Sequence, residues 1–430
     1  MSKPLNVAIA GLGTIGGGTF KLLTEQAEII ERRTGRAVRL AAVADPDASK
    51  MTDAEAGGVR CFDDALPMAA DDGVDVVVEL IGGSGGIAKK LCETAIANSK
   101  HVVTANKAMV AHHGTQLAKA AEDQGVSFNY EAAVAGGIPL IKSLREGLAG
   151  NNIGRVYGIL NGTCNFILSA MSEQGREFED VLKECQELGY AEADPSFDID
   201  GIDTAHKLAI LASVSFGCEI NFDAVYTEGI RHVSPMDMQF AAELGYRIKL
   251  LGTASVSERG LEQRVHPCMV PETAPIAHVA GSLNAVVADG DFVDTIVQEG
   301  HGAGAGPTAS AVCADIIDIA RGLKVPTFGV PVGDLKTIAP LPMQRHVGAY
   351  YIRLMVVDKP GVFADIAGAL QKHAVSMESV IQRTRNPGEA VPVVMTTHET
   401  EEASMVEALK EIAVVGAVVE EPRMIRIESL

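Results

Sequence analysis

Residues 5–16 read Leu5-Asn-Val-Ala-Ile-Ala-Gly11-Leu-Gly13-Thr14-Ile15-Gly16, and a helical pattern follows to about residue 33. A short apolar strand, a Gly-x-Gly-x-x-Gly turn and a helix in this order predict a dinucleotide-binding motif. Gly11 would allow the tight turn, Gly13 the close approach of a pyrophosphate, and Gly16 the packing of the helix. The alternative for this stretch alone is a strand-to-helix turn without a ligand.

The residue after the second predicted strand bears on the choice of cofactor. Residues 38–44 form this strand, and Asp45 follows it, where an acidic side chain can accept hydrogen bonds from adenosine ribose hydroxyls. The interval from Gly16 is longer than the usual ~20 residues, because residues 25–35 add helix. No arginine follows Asp45 closely and the nearest cation is Lys50, so we expect NAD to be favoured mildly over NADP.

Strands continue to alternate with helices up to about residue 130. The predicted strands cover residues 74–81, 101–105 and 126–130, with a helix to about residue 98 and another over about 112–124. This alternation predicts an α/β fold with a Rossmann-type doubly wound parallel sheet, in a dinucleotide-binding domain of residues 1–135. Lys107 lies just past the carboxyl end of a strand, where such sheets bind ligands, although an ordinary surface lysine can occupy the same position.

Composition limits the functional classes that need to be considered. The 430 residues carry a formal charge of -20, which argues against nonspecific nucleic-acid binding. No segment reaches the roughly 20 apolar residues of a membrane span, and the amino terminus lacks a signal-peptide pattern. Seven cysteines without a Cys-x-x-Cys pair indicate reduced thiols rather than a disulfide framework or zinc site. We therefore expect a cytoplasmic protein that binds neither nucleic acid nor membrane.

Residues 136–330 have long polar–apolar alternations and helices, but no second nucleotide fingerprint. We interpret them as a mixed α/β catalytic and dimerisation domain. Its last part, about 306–330, either belongs here or packs back on the nucleotide domain. Cys164 is the thiol most easily imagined as a nucleophile, but no base is placed beside it by the sequence, so we assign it no catalytic role.

An acidic stretch from Gly189 to Lys207 leads into the uncharged segment 208–216. Asp203 and Lys207 stand four residues apart, so on a helix that opens near residue 201 they share a face. A partly buried lysine with a carboxylate partner is suited to acid/base chemistry. The plainer interpretation is an acidic helix start with an ordinary ion pair.

The C-terminal residues predict a compact module after a linker of residues 331–348. Its predicted strands cover residues 349–357, 376–385, 391–397 and 415–427, and its helices cover 362–373 and 402–412. The resulting βαββαβ order is that of a ferredoxin-like domain, here residues 349–430. It lacks clustered acid/base groups, so we do not expect a second enzyme.

Taken together, these stretches resemble homoserine dehydrogenase over essentially the whole chain, and the C-terminal module is similar to an ACT-type regulatory domain. The most specific element is Gly189-Tyr-Ala-Glu192-Ala-Asp-Pro-Ser-Phe-Asp198-Ile-Asp-Gly-Ile-Asp203-Thr-Ala-His-Lys207, with Cys185 where the family usually has Ala. The resemblance implies that Lys207 is the proton donor and Asp203 its neighbour at the reacting oxygen. Lys107 would be a second lysine near cofactor and substrate, and the substrate-binding residues would be Glu192, Asp198 and Lys207.

The resemblance also implies two further ligand contacts. A monovalent cation, sodium in most members, would be held by Glu131 and the backbone carbonyls of Val134, Gly136 and Ile138. The glycine run that contains Gly304 is similar to a late family segment that returns to the nucleotide. His301 stands where a small residue or proline is usual.

The implied reaction is NAD(P)-dependent interconversion of L-aspartate 4-semialdehyde and L-homoserine, in threonine, methionine and isoleucine biosynthesis. The resemblance further implies a homo-oligomer, dimer or tetramer, and feedback by an amino-acid effector, with L-threonine the leading candidate near residues 358–362. Two alternatives remain open at this point. One is another Rossmann oxidoreductase that acts on an amino-acid semialdehyde, and the other is a nonenzymatic sensor of nucleotide and amino acid.

Overall fold

The amino-terminal part of the chain folds around a six-stranded parallel sheet. The computed structural model describes residues 3–383 and 386–430. The strands are β1 Leu5–Ala10, β2 Val38–Ala44, β3 Arg60–Phe62, β4 Val76–Glu79, β5 His101–Thr104 and β6 Phe128–Asn129. The helices are α1 Thr14–Glu25, α2 Ala27–Thr34, α3 Thr52–Ala56, α4 Ala65–Ala69, α5 Gly86–Ala97 and α6 Lys107–Gln124. The strand order β3-β2-β1-β4-β5-β6 confirms the predicted doubly wound Rossmann arrangement.

Two helices of this part differ from the sequence prediction. The helix predicted from about residue 17 to 33 is two helices, α1 and α2, separated at Gln26. Helix α6 begins at Lys107 rather than near residue 112, because the Asn106 side chain accepts a hydrogen bond from the Met109 amide at 3.0 Å and caps the first turn. Lys107 is therefore the first residue of a helix and not part of a loop.

The middle of the chain forms an antiparallel sheet region and its covering helices. Its helices are α7 Leu140–Lys142, α8 Gly162–Gln174, α9 Phe178–Glu187, α10 Ser196–Ile199, α11 Ile202–Phe216, α12 Pro235–Glu243 and α13 Ala305–Arg321. Its strands are β7 Ile153–Ile159, β8 Tyr226–Thr227, β9 Tyr246–Ser257, β10 Gly260–Pro271, β11 Leu283–Gly290 and β12 Asp294–His301. Most of α11 is buried, as its uncharged sequence favours.

Helix α13 packs against the nucleotide-binding sheet. Val312 and Ile316 of this helix share one hydrophobic cluster with Val7 and Ile9 of β1. A Cβ atom at Gly18 would lie 2.8 Å from the carbonyl oxygen of Ala305, so α1 and the start of α13 approach closely. The glycine run before α13 thereby reaches the side of the sheet that carries the fingerprint.

The C-terminal residues form the predicted βαββαβ unit. Its elements are β13 Val347–Val357, α14 Val362–Lys372, β14 Met377–Ile381, β15 Ala390–Thr397, β16 Thr400–Glu401, α15 Glu402–Ala413 and β17 Arg423–Ile427. The main strands are ordered β17-β13-β15-β14, which is the 4-1-3-2 order of a ferredoxin-like sheet. The strand predicted near 376–385 extends to residues 384 and 385, which lie outside the described part of the chain.

This unit is more closely joined to the middle of the chain than a separate module would be. Strand β17 pairs in parallel with β10, with Cys268 opposite Arg426, so one mixed sheet of 11 strands runs through both parts. Buried ion pairs cross the junction, among them Arg353 with Asp237, at 2.7 Å. A break at this junction would leave buried charges without partners, which is costly.

Candidate active site

A cavity of about 390 Å³ lies between the carboxyl edge of the parallel sheet and the start of α11. The predicted residues that line it are Lys107, Asp198, Asp203, Lys207 and Gly304. Asn161, Tyr190, Asn284 and His301 contribute to the same lining. The fold therefore brings residues of the nucleotide-binding part and of the middle part to one concave site, which is a common setting for catalysis.

Asp203 stands between the two predicted lysines. Its Oδ2 accepts a hydrogen bond from Lys207 Nζ at 2.7 Å, and its Oδ1 lies 3.0 Å from Lys107 Nζ. Lys207 Nζ also donates to the Leu160 carbonyl oxygen at 2.6 Å. Asp203 and Lys207 are buried and Lys107 is partly exposed, so both ammonium groups are held by one carboxylate at the edge of the cavity.

The electrostatics of the cluster keep Asp203 ionised. Burial raises the pKa of Asp203, but Lys207 and Lys107 outweigh it and hold this pKa well below its usual value. Burial lowers the pKa of Lys107, but the adjacent Asp203 carboxylate more than offsets it, and the net pKa is raised. Lys107 is therefore a cation at neutral pH, positioned to interact with a negatively charged oxygen.

Asn161 joins the two carboxylates of the site, and no role was predicted for it from the sequence. Its Nδ2 donates to Asp198 Oδ1 and to Asp203 Oδ2, both at 2.8 Å. Its Oδ1 accepts from the Cys164 amide at 2.8 Å and caps α8. Its position as an asparagine directly before a helix, where a side-chain cap is common, was the signal that could have found it. The pKa of Asp198 is raised by burial and by repulsion from Asp203.

Glu192 is not brought to the cavity in this structure. Its side chain is exposed, while its backbone carbonyl accepts from the Gln186 side chain at 3.0 Å. The neighbouring residues Gly189 and Tyr190 do border the cavity. The structure thus places the Glu192 side chain outside the cavity lining, and its role as a substrate ligand stays a prediction.

Cys164 is unsuited to nucleophilic catalysis in this fold. Its side chain is buried, and its Sγ donates to the Asp198 carbonyl oxygen at 3.2 Å. Burial raises the pKa of the Cys164 thiol well above its ordinary value. A cysteine-dependent semialdehyde oxidoreductase would need an activated thiol, and Cys164 is not one.

The glycine-rich turn has the geometry expected for a dinucleotide. Gly11 has φ +89°, and a Cβ there would lie 2.6 Å from the Leu80 carbonyl oxygen. A Cβ at Gly16 would lie 1.8 Å from the Gly11 carbonyl oxygen, so only glycine allows α1 to pack on the turn. At Gly13 the backbone faces open space. The first helical residues, Thr14 and Ile15, present the amide end of α1, where a pyrophosphate can bind.

Asp45 follows β2 as predicted, but its surroundings differ from the expected ones. Its Oδ2 accepts from the Leu12 amide at 2.8 Å and its Oδ1 from the Asp47 amide at 2.9 Å. Lys50 Nζ lies 3.6 Å from Oδ1. Burial raises the pKa of Asp45, but these amides and Lys50 lower it below its ordinary value. A cation therefore stands beside Asp45, which weakens the expected repulsion of a 2′-phosphate.

Glu131 lies in a buried turn after β6. Its carboxylate accepts from the Ile141 and Lys142 amides at 2.9 and 2.8 Å. Burial, with a further contribution from Asp315, raises the pKa of Glu131 to about 7. A buried carboxylate beside a turn of small residues fits the donor set of a hard cation, which prefers oxygen ligands.

Comparisons with known proteins show the family of this chain. The family profile described as "Homoserine dehydrogenase, NAD binding domain" matches residues 11–131, and the one described as "Homoserine dehydrogenase" matches residues 139–317. A homoserine dehydrogenase of Neisseria gonorrhoeae is 45% identical over 434 residues, which cover 100% of this chain and 99% of that protein. One of Pseudomonas aeruginosa is 45% identical over 100% of both chains. This chain belongs to the homoserine dehydrogenase family.

Solved structures of the homoserine dehydrogenase family have the same fold. The crystal structure of a homoserine dehydrogenase from Thiobacillus denitrificans matches with a TM-score of 0.93 and 46% identity, over 99% of this chain and 98% of that one. A hyperthermophilic archaeal homoserine dehydrogenase in complex with NADPH matches with a TM-score of 0.64 and 27% identity, over 75% of this chain and 99% of that one.

These matches establish the enzyme class and the C-terminal module of this homoserine dehydrogenase. The chain is an NAD(P)-dependent oxidoreductase, with its nucleotide-binding domain in the first sheet. The profile of the ACT domain matches residues 350–416, within the ferredoxin-like unit. Among the described residues, no helix has both the length and the apolar character to span a membrane.

Proposed function

We propose that the enzyme interconverts L-homoserine and L-aspartate 4-semialdehyde at the cavity that contains Lys107, Asp203 and Lys207. The observation that carries this proposal is the position of Asp203 between two lysine ammonium groups. When bound, the nicotinamide cofactor supplies or accepts the hydride, which is the difficult chemical step. The protein must then stabilise the alkoxide oxygen and move one proton.

Lys207 is our candidate for the proton transfer. The Leu160 carbonyl oxygen and Asp203 fix its Nζ by two hydrogen bonds, so the ammonium group is preorganised. It would donate a proton to the oxygen in aldehyde reduction and accept one in alcohol oxidation. Lys107 follows β5, on the sheet side of the cavity, and would stabilise the same oxygen by its charge. Gly304 and the turn from Gly11 to Gly16 would hold the cofactor.

The substrate's amino acid end needs partners of both charges. Asp198 lies in the cavity and can accept the substrate ammonium group, as a charge-assisted hydrogen bond requires. Glu192 would add a second carboxylate after the segment 189–195 moves inward. Asn161 would keep Asp198 and Asp203 apart and correctly oriented, because it donates to both.

The assay that tests this function follows reduced nicotinamide absorbance with L-homoserine and either NAD or NADP. Reduction of the cofactor supports the proposal. Binding of both ligands without reduction would instead favour the nonenzymatic sensor. Loss of turnover after modification of Cys164 by a thiol reagent would favour a cysteine-dependent semialdehyde oxidoreductase.

We further propose that a monovalent cation, with sodium as the leading candidate, is bound by Glu131 and the carbonyl oxygens of Val134, Gly136 and Ile138. Support comes from the burial of Glu131 and from its raised pKa, since a nearby cation would stabilise the ionised carboxylate. Assays in which choline chloride replaces sodium chloride, with wild-type and Glu131→Gln enzyme, test the site. Wild-type activity that is unchanged when choline replaces sodium would contradict the cation site.

Cofactor preference is open to a paired test. We expect wild-type enzyme to use NAD at least as well as NADP, since the Asp45 carboxylate disfavours a 2′-phosphate. Asp45→Ser should shift the ratio of kcat/KM values towards NADP. Lys50→Gln should shift it towards NAD, because it removes the cation that lies 3.6 Å from Asp45. The matched control is Lys90→Gln, on α5, which should leave the ratio unchanged. A strong NADP preference of the wild-type enzyme would refute this role of Asp45.

We propose that the ACT domain binds an amino-acid effector at the loop 358–362, with L-threonine as the leading candidate. Gly361 has φ +94° and precedes α14, so the first amides of that helix are open to a carboxylate. Asp358 Oδ2 is buried and makes no hydrogen bond within the described residues, which suits it to accept an ammonium group. The two features together match the two ends of an amino acid.

A short route connects the ACT domain with the active site. Arg426 on β17 donates to Glu228 at 2.8 Å. The next residue, Gly229, packs so tightly that a Cβ would lie 2.1 Å from the Ile199 carbonyl oxygen. Ile199 follows Asp198 of the cavity, and we propose that a shift of β17 would be transmitted to Asp198 through these contacts. Inhibition requires two states that differ in affinity, and a coupling of about 1 to 3 kcal/mol is typical.

The regulatory proposal predicts a selective loss of control. Asp358→Asn should remove threonine inhibition and threonine binding by calorimetry, while activity without effector stays near wild type. Asp365→Asn, an exposed position on α14 with the same charge change, should keep both. Full-length enzyme that neither binds threonine nor responds to it would refute regulation and leave the dehydrogenase function standing. Truncation near residue 340 is a poorer test, because it removes the partners of buried Arg264 and of Glu228.

The oligomer and the compartment also remain proposals. We propose a homo-oligomer, dimer or tetramer, which light scattering can measure. A cytoplasmic location is supported by the seven cysteines, which are all free thiols. Six of them are buried and only Cys61 is exposed.

A further inference from the structure

His206 contacts elements that carry other active-site groups. It lies between Asp203 and Lys207 in the sequence of α11 and is buried. Its Nδ1 lies 2.9 Å from the Ile202 carbonyl oxygen, and its Nε2 lies 3.2 Å from Nε2 of His112, 94 residues earlier. His112 belongs to α6, the helix that begins with Lys107. The histidine pair therefore links the helix of Lys107 to the helix of Asp203 and Lys207.

Two phenylalanine rings hold the imidazole of His206 in place. Phe222 stacks on it with ring centroids 4.3 Å apart and an interplanar angle of 17°. Phe197 stacks at 5.6 Å and 28°, and the same Phe197 ring lies 5.7 Å from Lys107 Nζ. Phe197 directly precedes Asp198, a residue of the cavity. A single imidazole thus contacts segments on which Lys107, Asp198 and Asp203 depend for their positions.

The hydrogen bonds define the tautomer of each ring. A carbonyl oxygen can only accept, so His206 Nδ1 must carry a proton to bond with Ile202. In the neutral ring, Nε2 of His206 then has a lone pair and accepts. His112 must donate from its Nε2, which requires the opposite tautomer on that ring. The link consequently depends on a donor at His112 and on an acceptor at His206.

We propose that His206 and His112 are positioning residues for the dehydrogenase reaction, whose hydrogen bond sets the contact of Lys107 with Asp203. The proposal rests on the roles proposed above for these two charged residues. Neither histidine lines the cavity, so both act through the helices that they join. A shift of α6 against α11 would lengthen the 3.0 Å contact between Lys107 Nζ and Asp203 Oδ1.

The surroundings of His206 favour its neutral form. Burial lowers the pKa of His206, and electrostatic interactions with His112 and Lys107 act in the same direction. The Ile202 carbonyl and Asp203 oppose this, but the net pKa stays below its ordinary value. On α6, the next residue, His113, also has a lowered pKa, through burial first and then through Lys89 and His112, while Glu93 opposes the shift. His206 is therefore neutral at neutral pH, and its Nε2 is available to accept a hydrogen bond.

The first test compares three substitutions at the pair with a neighbouring control. His206→Leu and His112→Leu should lower kcat roughly tenfold, because small displacements of catalytic groups are costly. The KM for the nicotinamide cofactor should stay near wild type. His112→Gln should restore most of the activity, since its amide can donate to His206 Nε2. His113→Gln, next in the chain and outside the pair, should behave as wild type.

Folding and tautomer are measured separately from activity. His112 is exposed on its outer side, so its two variants should fold, and thermal unfolding of all variants checks this. In ¹⁵N-histidine spectra at pH above the imidazole range, His206 should be protonated at Nδ1 and unprotonated at Nε2. Any one of three results would overturn the proposal. These are a wild-type kcat in His112→Leu, an equal impairment of His112→Gln and His112→Leu, and an Nε2–H tautomer at His206. An inactive wild-type enzyme would instead count against the proposed function, since the spectra do not depend on turnover.

Discussion

Lys207→Ala should lower kcat by about 10²- to 10⁴-fold, the usual contribution of a general acid/base group. The loss follows from the position of Nζ, which Leu160 and Asp203 fix at the edge of the cavity. Cofactor affinity, measured by fluorescence titration of reduced nicotinamide, should change little because Lys207 lies on α11 and not on the nucleotide sheet. Stopped-flow or steady-state kinetics with homoserine gives the rate.

Two comparisons make the Lys207 experiment specific. Lys107→Ala should also be severely impaired, but part of its loss should appear in KM, because the proposed role of Lys107 places it near both cofactor and substrate. Lys90→Ala, a lysine on α5 outside the cavity lining, should retain wild-type kinetics. A Lys207→Ala enzyme with wild-type kcat would falsify the assignment of Lys207 as the proton donor.

Asp203→Asn should be the second most damaging change, with kcat lowered by roughly 10²-fold or more through misplaced catalytic groups. The substitution leaves two ammonium groups without their shared carboxylate. Burial lowers the pKa of Lys107, and Asp203 is the group that outweighs this effect in the native enzyme. Without the carboxylate, Lys107 should lose its proton at lower pH, so the alkaline limb of the kcat profile should move to lower pH.

Stability provides an independent measure of the same substitution. Removal of one partner of a buried ion pair typically costs about 3–5 kcal/mol, and Asp203 is buried. Urea unfolding should therefore show a clear loss for Asp203→Asn. Asp200→Asn, which removes a partly exposed carboxylate paired with Arg231, should change stability and rate little. An Asp203→Asn enzyme with an unmoved alkaline limb would show that Asp203 does not control Lys107.

The local patterns of the sequence determined the types of structure present. Apolar runs followed by Gly11 and Gly16 predicted the nucleotide-binding turn, because strand, turn and helix each depend on neighbouring residues. The spacing of Asp203 and Lys207 predicted their ion pair for the same reason, since one helical turn brings them together. The alternation of elements predicted both the doubly wound sheet and the ferredoxin-like unit.

Tertiary structure decided which of these groups meet. Lys107 reaches Asp203, and His112 reaches His206, only because α6 packs beside α11, and no local pattern encodes that contact. No local pattern encodes the pairing of β17 with β10 either, which joins the ACT domain to the catalytic sheet. The position of Asn161 between two carboxylates also depends on tertiary packing. Glu192 was expected at the cavity from its place in a motif, yet its side chain is exposed. Sequence patterns report short-range geometry, whereas the active site is assembled by packing between residues that lie far apart in the chain.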